Sequence, residues 1–108
     1  MLLMGEGLST GGTASSDVYV NNAEDYVTML ADGTWGSSEA TLIFYAGPTS
    51  DGPFVAIKQD NADVELSSGH NMLSLTLVGG VYFKVVATGG TGDSLNVYVG
   101  GNSVHKVE

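Results

Sequence analysis

The chain has 108 residues, with 3 Lys and Arg against 12 Asp and Glu, and a formal net charge of −9. Nucleic acids and anionic membrane surfaces are bound mainly through Lys and Arg, so this charge argues against both as the main partner. The chain contains no cysteine, which excludes disulfides and thiolate metal sites. No apolar run approaches the roughly 18 residues of a membrane span, and the length predicts one domain.

Residues 1–16 predict a flexible arm. The segment begins Met-Leu-Leu-Met and is then dominated by Gly, Ser and Thr, so it has little to bury and loses much entropy on folding. It also lacks the basic start and long apolar run of a secretory signal. Two alternatives stay open, a disordered terminus and an arm that orders on a partner. In the second case the apolar contact residues are Met1, Leu2, Leu3, Met4 and Leu8.

The first half of the folded part predicts short strands separated by turns. Residues 17–20 and 26–30 form two of them, and residues 40–46 form a nearly continuous apolar run that is typical of a strand covered on both faces. The Gly-Pro and Asp-Gly pairs between residues 47 and 53 predict a long turn. Residues 54–58 then return as the partner strand of a hairpin.

Three runs in the second half alternate apolar and polar residues with a period of two. They cover residues 73–77, 81–88 and 94–99, and glycine-rich breaks separate them. This pattern indicates consecutive antiparallel strands, each with one buried face. A further short strand is expected at residues 64–66.

About eight short strands at roughly 10-residue spacing predict an all-β antiparallel sandwich or jelly roll. We expect a flexible N-terminal arm at residues 1–16, a β-sandwich domain at 17–101 and a loose C-terminal tail at 102–108. No helical periodicity is sustained.

The sequence offers little support for catalysis. Residues 7–11 match G-x-S-x-G, but this motif needs a strand before the serine and a helix after it, and no helix is predicted there. His70 and His105 lie in a glycine turn and in the tail, where a solvated side chain is the simplest interpretation. We expect no enzymatic activity and no cofactor.

Acidic residues suggest one metal hypothesis. Asp60, Asp63 and Glu65 could supply oxygen ligands to calcium, but their spacing differs from that of the twelve-residue calcium loop. The sequence favours a solvated acidic turn and leaves calcium binding open. Asp93 is interpreted as a turn residue.

Two tyrosines are candidates for a contact surface. Tyr82 and Tyr98 fall on the faces of their strands opposite the predicted core residues. If the two strands are neighbours, the phenol rings lie together. Ordinary packing, a protein interface and a sugar-binding platform all remain open, because an exposed tyrosine serves each of them.

The chain also resembles a known class of proteins. The resemblance is carried by Trp35-Gly36, the strand at 40–45, the Gly-Pro and Asp-Gly tip, Phe54-Val55-Ala56-Ile57, Leu73-x-Leu75-x-Leu77, and the runs 80–89 and 95–99. These features resemble small virion proteins of tailed bacteriophages with a β-sandwich or jelly-roll fold. The resemblance covers residues 35–100.

This resemblance implies binding without catalysis. It predicts a capsid decoration (cement) protein at the virion surface, which binds the major capsid protein or another virion protein as a homo-oligomer, with a trimer favoured. The N-terminal arm would make part of the shell contact, and Tyr82 and Tyr98 are candidates for an interface between subunits. The alternative is a carbohydrate-binding or receptor-binding module of a head or tail appendage, which would use Trp35, Tyr82 and Tyr98.

Overall fold

The computed structural model describes residues 1–9, 13–23 and 25–107. Its regular structure consists of strands, and among the described residues there is no helix with the length and apolar character needed to cross a bilayer. The strands are β1 Leu2–Ser9, β2 Thr13–Ser15, β3 Tyr19–Asn21, β4 Asp25–Thr34, β5 Thr41–Gly47, β6 Val55–Ala56, β7 Lys58–Gln59, β8 Ala62–Asp63, β9 Glu65–Leu66, β10 Met72–Leu77, β11 Val81–Thr88, β12 Ser94–Gly100 and β13 Val104–Lys106.

Two antiparallel sheets pack into a sandwich. The four-stranded sheet has the order β1-β12-β4-β10, and the larger sheet has the order β13-β3-β11-β5-β6. β2 continues β3 along one side of β11, and β9 continues β6 along one side of β5. β7 and β8 form a small separate hairpin.

The strand order is that of a jelly roll. β1 pairs with β12, β3 with β11, β4 with β10, and β5 with β6. The pairs are nested: strands near the start of the chain pair with strands near its end, and strands closer to the middle pair with each other. This pattern results when one long antiparallel ribbon is wrapped into two sheets. The predicted all-β antiparallel sandwich or jelly roll is confirmed, and β13 adds a strand at one edge.

Alternating side chains build the core between the sheets. In β4 the inward residues Val27, Met29 and Ala31 are fully buried, and in β12 Leu95, Val97 and Val99 are fully buried. Phe44 of β5 and Phe83 of β11 are the largest fully buried side chains on the larger sheet. In β5 the alternate residues Ile43 and Tyr45 are only half-buried, so the run at 40–46 is covered on one face rather than on both.

The prediction of a flexible N-terminal arm is wrong for the described part of residues 1–16. β1 pairs with β12, and β2 pairs with β11, so this segment supplies strands to both sheets. Met4 and Leu8 are 0% and 7% exposed in the core. Burial of these side chains and pairing of the backbone offset the entropy that the glycines lose. Residues 10–12 lie outside the described residues.

The predicted loose tail at 102–108 is also wrong for its described residues. β13 pairs with β3, and Val104 is 4% exposed in the core. The backbone N–H of Val107 donates a 3.0 Å hydrogen bond to the carbonyl of Val18, and Lys106 forms an ion pair with Asp17 at 3.3 Å. The domain therefore extends beyond the predicted limits of 17–101 at both ends.

Candidate docking face

An apolar row crosses the outer face of the four-stranded sheet. Leu3 of β1 is opposite Tyr98 of β12, Tyr98 is opposite Leu30 of β4, and Leu30 is opposite Met72 of β10. Directly opposed residues in an antiparallel sheet point to the same side. Their chain neighbours Met29, Val97 and Val99 are fully buried, so this row faces outwards.

The row is accessible from the outside. Leu3 is 41% exposed and Met72 is 59% exposed, whereas Leu30 and Tyr98, between them, are half-buried. Two large exposed side chains extend the surface beside the row. Tyr26 of β4 is 70% exposed, and Met1 lies over Gly100, where an added Cβ would be 3.3 Å from the Met1 Cγ.

We call this surface the docking face and define it as Met1, Leu3, Tyr26, Leu30, Met72 and Tyr98. Beside the row, a shallow depression is lined by Met1, Tyr26, Thr28, Gly100, Gly101 and Asn102. Gly100 has no side chain to occupy the space beside Met1. Large contiguous apolar patches on a monomer surface mark interaction sites, whereas scattered apolar residues do not.

Polar side chains border the docking face. On one side the Asn96 amide donates to a carboxylate oxygen of Asp32 at 3.1 Å, and its Oδ1 accepts from the Gly7 N–H at 3.0 Å. On the other side the hydroxyls of Thr28 and Ser74 are hydrogen-bonded at 2.9 Å. An apolar centre with a polar rim is the usual anatomy of a protein interface.

The edge of the docking face is fixed to the other sheet. The Tyr19 hydroxyl donates to the Leu3 carbonyl at 3.0 Å, and the Asp17 N–H donates to the Met4 carbonyl at 3.1 Å. Burial raises the pKa of the Tyr19 hydroxyl above its usual value, an effect that Lys106 opposes and Asp17 reinforces. Tyr19 therefore stays protonated and able to donate this bond at neutral pH.

The structure divides the predicted contact residues. Met1, Leu3 and Tyr98 lie on the docking face. Leu2 is exposed, but it is opposite the buried Val99 and so points to the other side of the sheet, beside Val104. Met4 and Leu8 cannot contact a partner as predicted, because both side chains are buried in the core.

The predicted pairing of Tyr82 with Tyr98 is wrong. β11 and β12 follow each other in the chain but belong to different sheets, so Tyr82 and Tyr98 do not lie side by side. Tyr82 alternates with the buried Phe83 and points to the outside of the larger sheet. Trp35, the third aromatic of the sugar hypothesis, packs against the core. These three aromatics do not form one platform.

Sequence reasoning missed three members of the docking face, Tyr26, Leu30 and Met72. Leu30 lies between the buried Met29 and Ala31, and Tyr26 precedes the buried Val27. Met72 has no buried chain neighbour, and its outward position follows from its pairing with Leu30. What the sequence lacks is the register between strands that are far apart in the chain. Met72 is opposite Leu30 across 42 positions, and no local pattern encodes that pairing.

Some of the other candidate chemical groups lie near one another but do not form a metal site. Asp63, Glu65 and His70 line one surface pocket, yet within the described residues no three His, Asp or Glu side chains are placed to hold a metal ion. Asp63 instead forms an ion pair with Lys58. Ser9 lies at the end of β1, while His70 and His105 are exposed on different parts of the sandwich.

Asp93 is a turn residue, as predicted, but a buried one. Its Oδ1 accepts from the N–H of Gly36 at 2.8 Å and from that of Ala40 at 3.3 Å, so it joins two loops. Gly90 has a φ of 78°, and an added Cβ there would be 2.3 Å from the Asp93 carboxylate. The loop can close around the carboxylate because glycine is present.

No protein-family model, curated protein or solved structure matches the chain. Its function is therefore inferred from the docking face, the fold and the resemblance of its strand pattern.

Proposed function

We propose that the protein is a non-enzymatic structural protein of a phage particle, a capsid decoration protein that binds and stabilises the assembled shell. The observation that carries this proposal is the uncovered apolar row Leu3-Tyr98-Leu30-Met72 across all four strands of one sheet. A rigid sheet with an apolar centre and a polar rim is suited to bind a folded surface. The partner is the major capsid protein or another virion protein.

The charge of the chain is compatible with this task. A decoration protein is present in many copies, and a net charge of −9 on 11.1 kDa keeps free copies apart through repulsion. The shell repeats its binding site by symmetry, so contacts that are weak individually sum when the copies also contact one another. The chain would act as a homo-oligomer at the capsid surface.

The test uses shells purified without this protein, to which the protein is added back. Leu30→Thr replaces the centre of the apolar row with a β-branched residue that suits a strand. The matched control is Ile43→Thr, which makes a similar change on the outer face of the larger sheet, where Ile43 is also half-buried.

We expect Leu30→Thr to weaken shell binding by about fivefold or more, since truncation of a central apolar contact costs more than about 1 kcal/mol. Ile43→Thr should bind as the unmodified protein does. Co-sedimentation with shells measures binding, and circular dichroism confirms that both variants are folded. Equal binding by Leu30→Thr and the unmodified protein would contradict the proposal.

The carbohydrate-binding alternative retains one observation in its favour. Tyr26 and Tyr98 both lie on the docking face, and exposed tyrosine rings stack on sugars as well as on proteins. A glycan array distinguishes the two functions. Sugar binding that is lost in Tyr26→Ala would support the alternative, and binding to shells without sugar binding would support decoration.

A further inference from the structure

Three of the four edges of the sandwich are protected against pairing with another strand. β1 is interrupted by irregularities between Leu3 and Gly5 and between Gly5 and Leu8. β13 has three residues and carries His105 and Lys106. The edge formed by β6 and β9 is interrupted by the β7–β8 hairpin. Bulges, short strands and charged residues are the devices by which proteins prevent edge-to-edge association.

The fourth edge, β10, has none of these devices. Its sequence Met-Leu-Ser-Leu-Thr-Leu contains no charged residue, proline or glycine. All six residues pair with β4 in unbroken register from Met72–Leu30 to Leu77–Asp25. A regular, uncharged edge strand of this length is a template for another strand.

The hydrogen bonds show which backbone groups of β10 are available. The Ala31 N–H donates to the Asn71 carbonyl at 2.9 Å, which identifies this pair as hydrogen-bonded. Hydrogen-bonded and non-hydrogen-bonded pairs alternate along an antiparallel ladder. The backbone groups of Leu73, Leu75 and Leu77 therefore form hydrogen bonds with β4. The N–H and C=O groups of Met72, Ser74 and Thr76 point away from it, and among the described residues β10 pairs only with β4.

We propose that β10 pairs antiparallel with β10 of a second copy of this chain, about a two-fold axis at Ser74. In that register Ser74 is opposite Ser74 of the second copy, and Met72 is opposite Thr76 of the second copy. The backbone N–H and C=O groups of Met72, Ser74 and Thr76, which point away from β4, then gain hydrogen-bond partners. The two four-stranded sheets join into one continuous sheet, and the two docking faces lie side by side on the same surface.

A second copy fits this edge because the edge is self-complementary. Its outward side chains Met72, Ser74 and Thr76 are uncharged, so symmetry brings no like charges together at the seam, although each chain carries −9 overall. Dimerisation should therefore be stronger at high salt, which screens the long-range repulsion. Each copy has one unprotected edge among its described strands. Once two copies pair through that edge, neither keeps one for a third copy, so assembly stops at a dimer.

The experiment measures the mass of the purified protein in solution by sedimentation equilibrium at low and high salt. Ser74→Pro removes the backbone N–H that would bond to the second copy. Proline is tolerated at this position because the Ser74 N–H points away from β4 on an edge strand. Ser74→Lys keeps that N–H but places two like charges opposite each other at the axis. The matched control is Thr28→Lys on β4, which adds the same charge and breaks the same hydroxyl contact with Ser74, away from the edge.

We expect the unmodified protein and Thr28→Lys to form dimers, and both Ser74 variants to dissociate with a dissociation constant at least about tenfold higher. If Ser74→Pro fails to fold, the comparison of Ser74→Lys with Thr28→Lys decides. A single-chain mass for the unmodified protein, a trimer mass, or equal dimerisation of Ser74→Lys and Thr28→Lys would each overturn the proposal. Because no shell is present, the result is independent of the proposed function.

Discussion

The hydroxyl of Tyr19 donates a 3.0 Å hydrogen bond to the backbone carbonyl of Leu3. Tyr19 belongs to the larger sheet and Leu3 to the four-stranded sheet, so this bond connects the two sheets at one edge of the sandwich. The Tyr19 ring is anchored beside Phe83, with ring centroids 6.3 Å apart. This contact holds the N-terminal strand, and with it one end of the docking face, against the body of the domain.

Tyr19→Phe removes this bond and keeps the buried ring. We expect the free energy of unfolding to fall by about 0.5 to 1.5 kcal/mol, the usual net contribution of one hydrogen bond. Amide hydrogen exchange in β1 should accelerate more than in β4. The control is Tyr82→Phe, since the Tyr82 hydroxyl has no hydrogen-bond partner among the described residues. A similar loss in both variants would contradict a specific role for the Tyr19 hydroxyl.

Stability should depend on pH through the same hydroxyl. Burial raises the folded-state pKa of Tyr19 above the unfolded value of about 10. Above that pH the unfolded chain loses the proton first, so stability falls as pH rises. The stability advantage of the unmodified protein over Tyr19→Phe should be fully present below about pH 9 and shrink above about pH 10. Urea unfolding at several pH values measures this, and a constant advantage to pH 11 would refute it.

The N-terminal residues should differ sharply in their effect on stability. Met4→Ala should cost about 2 to 5 kcal/mol, because it leaves a cavity in the core. Met1→Ala should change the free energy of unfolding by less than about 0.5 kcal/mol, since that side chain is 62% exposed. Urea unfolding of both variants is the measurement. Similar small effects would support a loosely attached segment instead of a core strand.

The strands with regular alternation could be predicted from sequence, and β1 could not. β10, β11 and β12 have the period of two that one buried face imposes. β1 reads Leu-Leu-Met-Gly-Glu-Gly-Leu-Ser, a composition that is poor for a strand in isolation. It forms because β12 supplies a partner along its length and the core takes Met4 and Leu8. Such tertiary contacts override local propensity.

The docking face was only partly predictable for a related reason. Local sequence can assign a residue to the outer face of a strand, as it does for Tyr98, but cannot tell which outer residues lie side by side. Leu3 and Tyr98 are opposite each other although they lie at opposite ends of the chain. That closeness comes from jelly-roll wrapping, which pairs the first strand with a late one.

Asp93 should be a stabilising residue of the loop region. Asp93→Ala leaves the N–H groups of Gly36 and Ala40 without this acceptor, and each buried unsatisfied donor costs about 1 to 3 kcal/mol. Asp93→Asn retains an oxygen at the Oδ1 position and should lose less. Thermal unfolding of the two variants measures the difference. An equal loss in both would show that the negative charge, and not the acceptor geometry, supports the loops.

The β7–β8 hairpin should tolerate glycine but not valine at its tip. Asp60 and Asn61 have φ values of 54° and 64°, the left-handed pair found in a two-residue type I′ turn, where Asn-Gly is favoured. Asn61→Gly should leave the hairpin intact, whereas Asn61→Val should destabilise it by about 1 to 2 kcal/mol, because a branched Cβ is strained at positive φ. Amide exchange at Gln59 and Ala62 reports the hairpin itself. Equal exchange rates in both variants would contradict the left-handed turn.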